Sequence, residues 1–133
     1  DTAGQERYAQ LVPTYYRSCQ IAILVMSVDQ LESLEKAKFW LEQIRQNADE
    51  AVQIVGVLNK VDIKRGVLQE ELVQRFCDSN NIKLCKVSAK ERTGIEELEN
   101  LLKKLSENVQ MKVVTEEVWR LDQDEKENGK GCC

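Results

Sequence analysis

The run Gln20-Ile21-Ala22-Ile23-Leu24-Val25-Met26-Ser27-Val28 is unbroken in apolar character from Ile21 to Met26. A short run of this kind fits a strand buried on both faces of a parallel sheet. Val52 to Leu58, reading Val-Gln-Ile-Val-Gly-Val-Leu, and Ile82 to Val87 repeat the type. Between the first two, Leu34, Ala37, Leu41 and Ile44 recur at helical spacing, and Asp29 with Glu32 is the expected cap. A second helical pattern runs from about Gln69 to Ser79 on Leu72, Val73 and Phe76. A third runs from Ile95 to Val109 on Ile95, Leu98, Leu101, Leu102 and Leu105, with Thr93 and Glu96 as its caps. A further short helix is expected near Arg7 to Arg17, interrupted at Pro13. Strand and helix in alternation predict an α/β fold, a doubly wound parallel sheet with right-handed crossovers, three strands and about four helices. Ligands of such sheets bind beyond the carboxyl ends of the strands, so the loops after each strand are the places to search.

Composition narrows the chemistry. The chain has 133 residues, 42% apolar and 32% charged, enough for one domain with a real core and a well-solvated surface. A net charge of -4 without a basic patch excludes nucleic acid as a partner, because phosphate binding needs clustered Lys and Arg. No apolar run approaches the ~18 residues a membrane span requires, and the first residues do not read as a signal peptide, so the body of the protein is expected in the cytosol. The five cysteines, at 19, 77, 85, 132 and 133, show no zinc or disulfide spacing. With no histidine, Ser-His and Cys-His nucleophilic catalysis are excluded, and any hydrolysis must run by positioning a water. The chain opens on Asp1 rather than Met, and sequence missing upstream is the expectation. From Met111 the periodicity fades, and the charged stretch from Asp122 to Gly131 reads as a flexible tail ending in Gly131-Cys132-Cys133.

Three strings fall at the places such a fold reserves for ligands: Asp1-Thr2-Ala3-Gly4-Gln5-Glu6, Asn59-Lys60-Val61-Asp62 after the second strand, and Ser88-Ala89-Lys90 after the third. Each alone is a common turn or polar loop; their joint order at strand ends is specific. Together they resemble the Ras superfamily of small GTPases, with its P-loop NTPase-like fold. The resemblance implies GTP/GDP and Mg2+ as ligands. Guanine presents N1-H and N2-H2 as adjacent donors, which one carboxylate can take together, and that role falls to Asp62. By the same resemblance Asn59 contacts the base edge and braces the neighbouring loop. Lys60 lays its stem over the base, Ala89 gives a backbone N-H to O6, Ser88 holds Asp62 and Lys90 shields the other face. Asp1 resembles the Walker B aspartate, holding Mg2+ through a coordinated water, with Thr2 and Ala3 as backbone linkers. The Gly4 N-H reaches the γ-phosphate, and Gln5 is the catalytic residue that orients the attacking water.

Glu6-Arg7-Tyr8, Tyr15-Tyr16-Arg17, and Trp40-Leu41 with Ile44-Arg45 look like the Rab branch. Trp40 reads as half-buried packing on its helix before it reads as a binding hot spot. The Gly-Cys-Cys ending also fits that branch: one lipid chain, at about 0.8 kcal/mol per buried CH2, holds a protein only marginally, and Cys132 and Cys133 can carry two geranylgeranyl groups. From Lys112 onward four basic residues face six acidic ones, so charge cannot supply the second anchor.

The implied organisation is a partial G domain over 1–109 and a hypervariable tail with a prenylation site over 110–133. The six glycines, at 4, 56, 66, 94, 129 and 131, include no pair spaced for G-x-x-x-x-G-K-[ST], so the P-loop and first switch are not in the chain. The expected whole protein is a slow GTPase switch in vesicle and membrane trafficking, and the chain alone is expected to be inactive. Its expected partners are an exchange factor, a GTPase-activating protein, effectors, a prenylation escort and a GDP-dissociation inhibitor. It is expected on the cytoplasmic face of intracellular membranes, cycling with the cytosol. The alternative is a truncated, non-hydrolysing interaction module that keeps only the effector and membrane-anchor surfaces.

Overall fold

The computed structural model describes Tyr16 and residues 19–108. Along them run β1 (Ile21–Ser27), α1 (Glu32–Asn47), β2 (Gln53–Asn59), α2 (Glu70–Ser79) and β3 (Lys83–Lys86). A last helix, α3, is described over 95–108. The strands are parallel and lie in chain order, β1-β2-β3. Parallel neighbours need a connection that returns the chain to the amino end, and α1 and α2 provide it. The predicted open parallel sheet is therefore present, with strand ends moved by a residue or so from the sequence reading. The fourth expected helix, near Arg7 to Arg17, lies outside the described residues apart from Tyr16, which is buried.

Alternation along β2 divides the core between two faces. On one, Leu24 and Met26 of β1 and Leu58 of β2 pack with Leu34, Ala37, Leu41 and Ile44 of α1 and Val73 and Cys77 of α2. Gly56 lets α2 approach on this side: a Cβ there would meet Cys77 Sγ at 3.0 Å and Ile82 Cγ2 at 3.3 Å. Burial raises the Cys77 thiol from its ordinary value to about 11, so the group stays neutral and unreactive in the folded chain. On the opposite face Val55, Val57 and Val87 are buried under Ile95, Leu98, Leu101, Leu102 and Leu105 of α3. Helices thus cover both sides of the sheet. Trp40 packs half-buried against the first cluster, edge-to-face with Phe39 at 5.2 Å, as its reading as packing requires.

Three local expectations change. Only one face of β1 is buried: Ile23 and Val25 are 44% and 61% exposed. Register pairs them with Val55 and Val57, so they continue the row beneath α3, but nothing among the described residues buries that row on β1. Asp29 does not cap α1. Leu31 holds the N-cap position without a side-chain bond, and the Ser33 hydroxyl serves the turn instead, donating toward Gln30 O (2.7 Å) and Ser27 O (3.2 Å). The reason is competition: the Asp29 carboxylate is engaged by a cation across the sheet end. At α3, Gly94 rather than Thr93 stands at the N-cap, its carbonyl accepting from Leu98 N-H at 3.2 Å.

Candidate functional site

β1, β2 and β3 deliver their carboxyl ends to one edge of the sheet, and the register sets Ser27 beside Asn59. Asn59 ends β2, and its Oδ1 accepts two backbone N-H groups, from Lys60 at 2.7 Å and from Ala89 at 3.1 Å. One side chain thereby ties together the loops that follow β2 and β3. Lys60 adopts a left-handed backbone, φ 63°, a conformation that costs a non-glycine residue about 1–3 kcal/mol unless its surroundings hold it. Here they do: beside the Asn59 bond, Ile63 N-H donates to Lys60 O at 3.0 Å and Val61 N-H to Val87 O at 3.2 Å.

Ser88 is fully buried, and its hydroxyl and backbone N-H are both hydrogen-bonded. Its hydroxyl donates to Asp62 Oδ1 at 2.6 Å and accepts Glu91 N-H at 3.1 Å, while its own N-H donates to Thr93 O at 2.9 Å. The Ser88 hydroxyl is the main cause that holds the Asp62 carboxyl below its ordinary value. A bond from the Asp62 backbone and the charges of Lys90 and Lys60 add to it, against the opposing effect of desolvation. Asp62 is therefore an ionised acceptor, fixed in direction. Since each carboxylate oxygen can accept two hydrogen bonds, the one to Ser88 leaves capacity for a pair of adjacent N-H donors. A guanine edge offers such a pair of donors.

The sequence-predicted residues Asn59, Lys60, Asp62, Ser88, Ala89 and Lys90 are brought together at this edge. Ala89 N-H, expected to face a ligand oxygen, donates to Asn59 Oδ1. Asp1, Thr2, Ala3, Gly4 and Gln5, expected at the phosphates and Mg2+, lie outside the described residues, as do Cys132 and Cys133. Asp29 was not read as part of the site. It reaches Lys60 Nζ through Oδ2 at 2.7 Å and accepts Ser27 Oγ-H through Oδ1 at 2.5 Å. The signal that could have found it is its place, two residues beyond the carboxyl end of β1.

The model of the Ras family matches residues 1–110. The chain is 35% identical over 109 residues to "Ras-related protein Rab-5B" of Plasmodium falciparum (isolate 3D7), covering 82% of this chain and 51% of that protein. It is 37% identical over 100 residues to "GTP-binding protein ypt5" of Schizosaccharomyces pombe (strain 972 / ATCC 24843), with 74% and 47% covered. "Ras-related protein YPTC6" of Chlamydomonas reinhardtii is 32% identical over a 149-residue alignment, with 100% of this chain and 69% of that protein covered. The chain belongs to the Rab family of the Ras superfamily. It spans about half the length of the first two of these relatives. As a Rab chain it carries a partial P-loop GTPase fold, and the loops bridged by Asn59 lie beyond the carboxyl ends of β2 and β3, the edge at which open parallel sheets bind ligands.

Proposed function

We propose that the whole protein is a small GTPase switch that binds GTP and GDP, hydrolyses GTP slowly and acts in membrane trafficking. The observation that supports the reading best is the buried Ser88 hydroxyl directing an ionised Asp62 at the carboxyl ends of β2 and β3. Asp62 takes the N1-H and N2-H2 donors of guanine, Asn59 holds the two loops in register, and the Lys60 and Lys90 stems flank the base. Gln5 orients the attacking water, and Asp1 would hold Mg2+. When bound, the ion supplies charge neutralisation at the phosphates. Exchange factor, GTPase-activating protein and effectors set and read the state. Cys132 and Cys133 carry the two lipids that place the protein on the cytoplasmic face of an intracellular membrane; the escort and dissociation inhibitor handle that anchor.

Competition against a fluorescent guanine nucleotide tests the reading in the protein that carries this chain. GDP and GTP should displace the probe, and ADP and ATP should be weaker by about 10^4 or more, because an adenine edge leaves the desolvated carboxylate without donors. Equal displacement by ADP ends the reading. The anchor has its own test. Changing Cys132→Ser and Cys133→Ser together should move the protein from the membrane pellet to the supernatant in fractionation, and membrane binding that survives both changes removes the lipid assignment.

A further inference from the structure

We propose that Asp29 is a positioning residue for the nucleotide site, acting through Lys60: it draws the Lys60 ammonium toward β1 and so keeps Asp62 open to the base. The inference rests on the guanine-site reading above.

Lys60 and Asp62 are two residues apart in one tight loop, and the charges of both Lys90 and Lys60 act on that carboxylate. A Lys60-Asp62 pair would occupy the acceptor sites that a guanine edge requires. The described geometry shows the ammonium elsewhere. Lys60 Nζ lies 2.7 Å from Asp29 Oδ2, while Asp62 Oδ1 takes the Ser88 hydroxyl. Both ends of the diversion are fixed. The Lys60 backbone is held by Asn59 Oδ1, and Asp29 is held by the Ser27 hydroxyl at 2.5 Å. Ser27 in turn donates its N-H to the buried Ser33 hydroxyl at 3.1 Å. The Lys60 side chain therefore reaches from the end of β2 to Asp29, two residues beyond the end of β1.

The pair is half-exposed, 44% for the lysine side chain and 33% for the aspartate, so it contributes little to folding. Its consequence is directional, and that separates it from a structural role. In the protein carrying this chain, Asp29→Ala should weaken GDP binding about tenfold, the scale of one hydrogen bond to a charged group. The melting temperature of the nucleotide-free protein should stay unchanged. Inosine diphosphate, which lacks the 2-amino donor and depends less on Asp62, should lose less than GDP does. Lys60→Met keeps an apolar stem without the ammonium, and in that background Asp29→Ala should cost nothing further. Equal GDP affinity for Asp29→Ala and wild type overturns the proposal. So does an undiminished loss in the Lys60→Met background, or an equal loss for GDP and inosine diphosphate. Wild-type protein that binds no guanine nucleotide overturns the underlying reading and this inference together, an outcome distinguishable from the others because it precedes any variant.

Discussion

Asp62→Asn should exchange guanine for xanthine as the preferred base. In the proposed site the carboxylate accepts from N1-H and from the 2-amino group; an amide keeps one acceptor but turns its other end into an N-H2 donor. Facing guanine, that donor meets another donor. Facing xanthine, which has a carbonyl where guanine has its amino group, it finds an acceptor. Discrimination built on paired polar groups reaches about 10^4, so the variant should lose GDP by a factor of that order and recover much of it with xanthosine diphosphate. The Ser88 hydroxyl that now donates to Asp62 Oδ1 can donate equally to the amide oxygen, so the swap leaves the support of the side chain in place. A variant that keeps its preference for GDP means the base is read elsewhere. The ionised state needed by the native residue is secure at neutral pH. The Asp62 carboxyl is held below its ordinary 3.8, so its acceptor role is fully present above that value and is lost only as pH falls through the still lower folded one.

The second large effect is conformational. Gly94→Ala should destabilise the fold by about 3 kcal/mol, combining the left-handed backbone penalty with a steric clash. Gly94 has φ +70°, and a Cβ there would drive into the backbone carbonyl oxygen of Lys86, a group that cannot swing aside as a side-chain tip can. The position is also the N-cap of α3 and follows Thr93, whose carbonyl accepts Ser88 N-H. Movement here therefore reaches the buried serine that directs Asp62. Thermal unfolding should show a fall of roughly 10 °C or more in melting temperature. An alanine variant that melts with wild type would mean that the β3-α3 loop relaxes at no cost.

Much of this architecture was legible from local pattern. The three strands announce themselves as short apolar runs, and Leu34, Ala37, Leu41 and Ile44, the periodic set of α1, are all buried. The strings Asn59-Lys60-Val61-Asp62 and Ser88-Ala89-Lys90 stand out because each lies at a strand end, where an open parallel sheet binds its ligands. What pattern cannot supply is the identity of neighbours distant in sequence. Asp29 followed by Glu32 has the spacing of a helix cap, yet the carboxylate pairs with Lys60, 31 residues away. Hydrophobicity could not tell that β1 is wetted on one side, because burial of Ile23 and Val25 depends on what lies over them rather than on the residues themselves. On α2, helical spacing places Leu72 on the buried face, but it is 40% exposed, and Cys77 is buried with Val73 instead. Cysteine signals burial less plainly than leucine does in a sequence, although packing treats it as a small hydrophobe.

The order β1-β2-β3 has a consequence for how the chain is made. Each later strand of the described sheet pairs with the one synthesised just before it: β2 adds to β1, and β3 adds to β2. During translation only β1, among the described strands, has to wait for its partner; β2 and β3 each emerge after a strand they can pair with. The residues that meet around Asn59 then come together as soon as the loop after β3 emerges, since Asn59 and Asp62 precede it and Ser88 and Ala89 lie within it. The edge that gathers Asn59, Asp62, Ser88 and Ala89 is completed by a single late arrival.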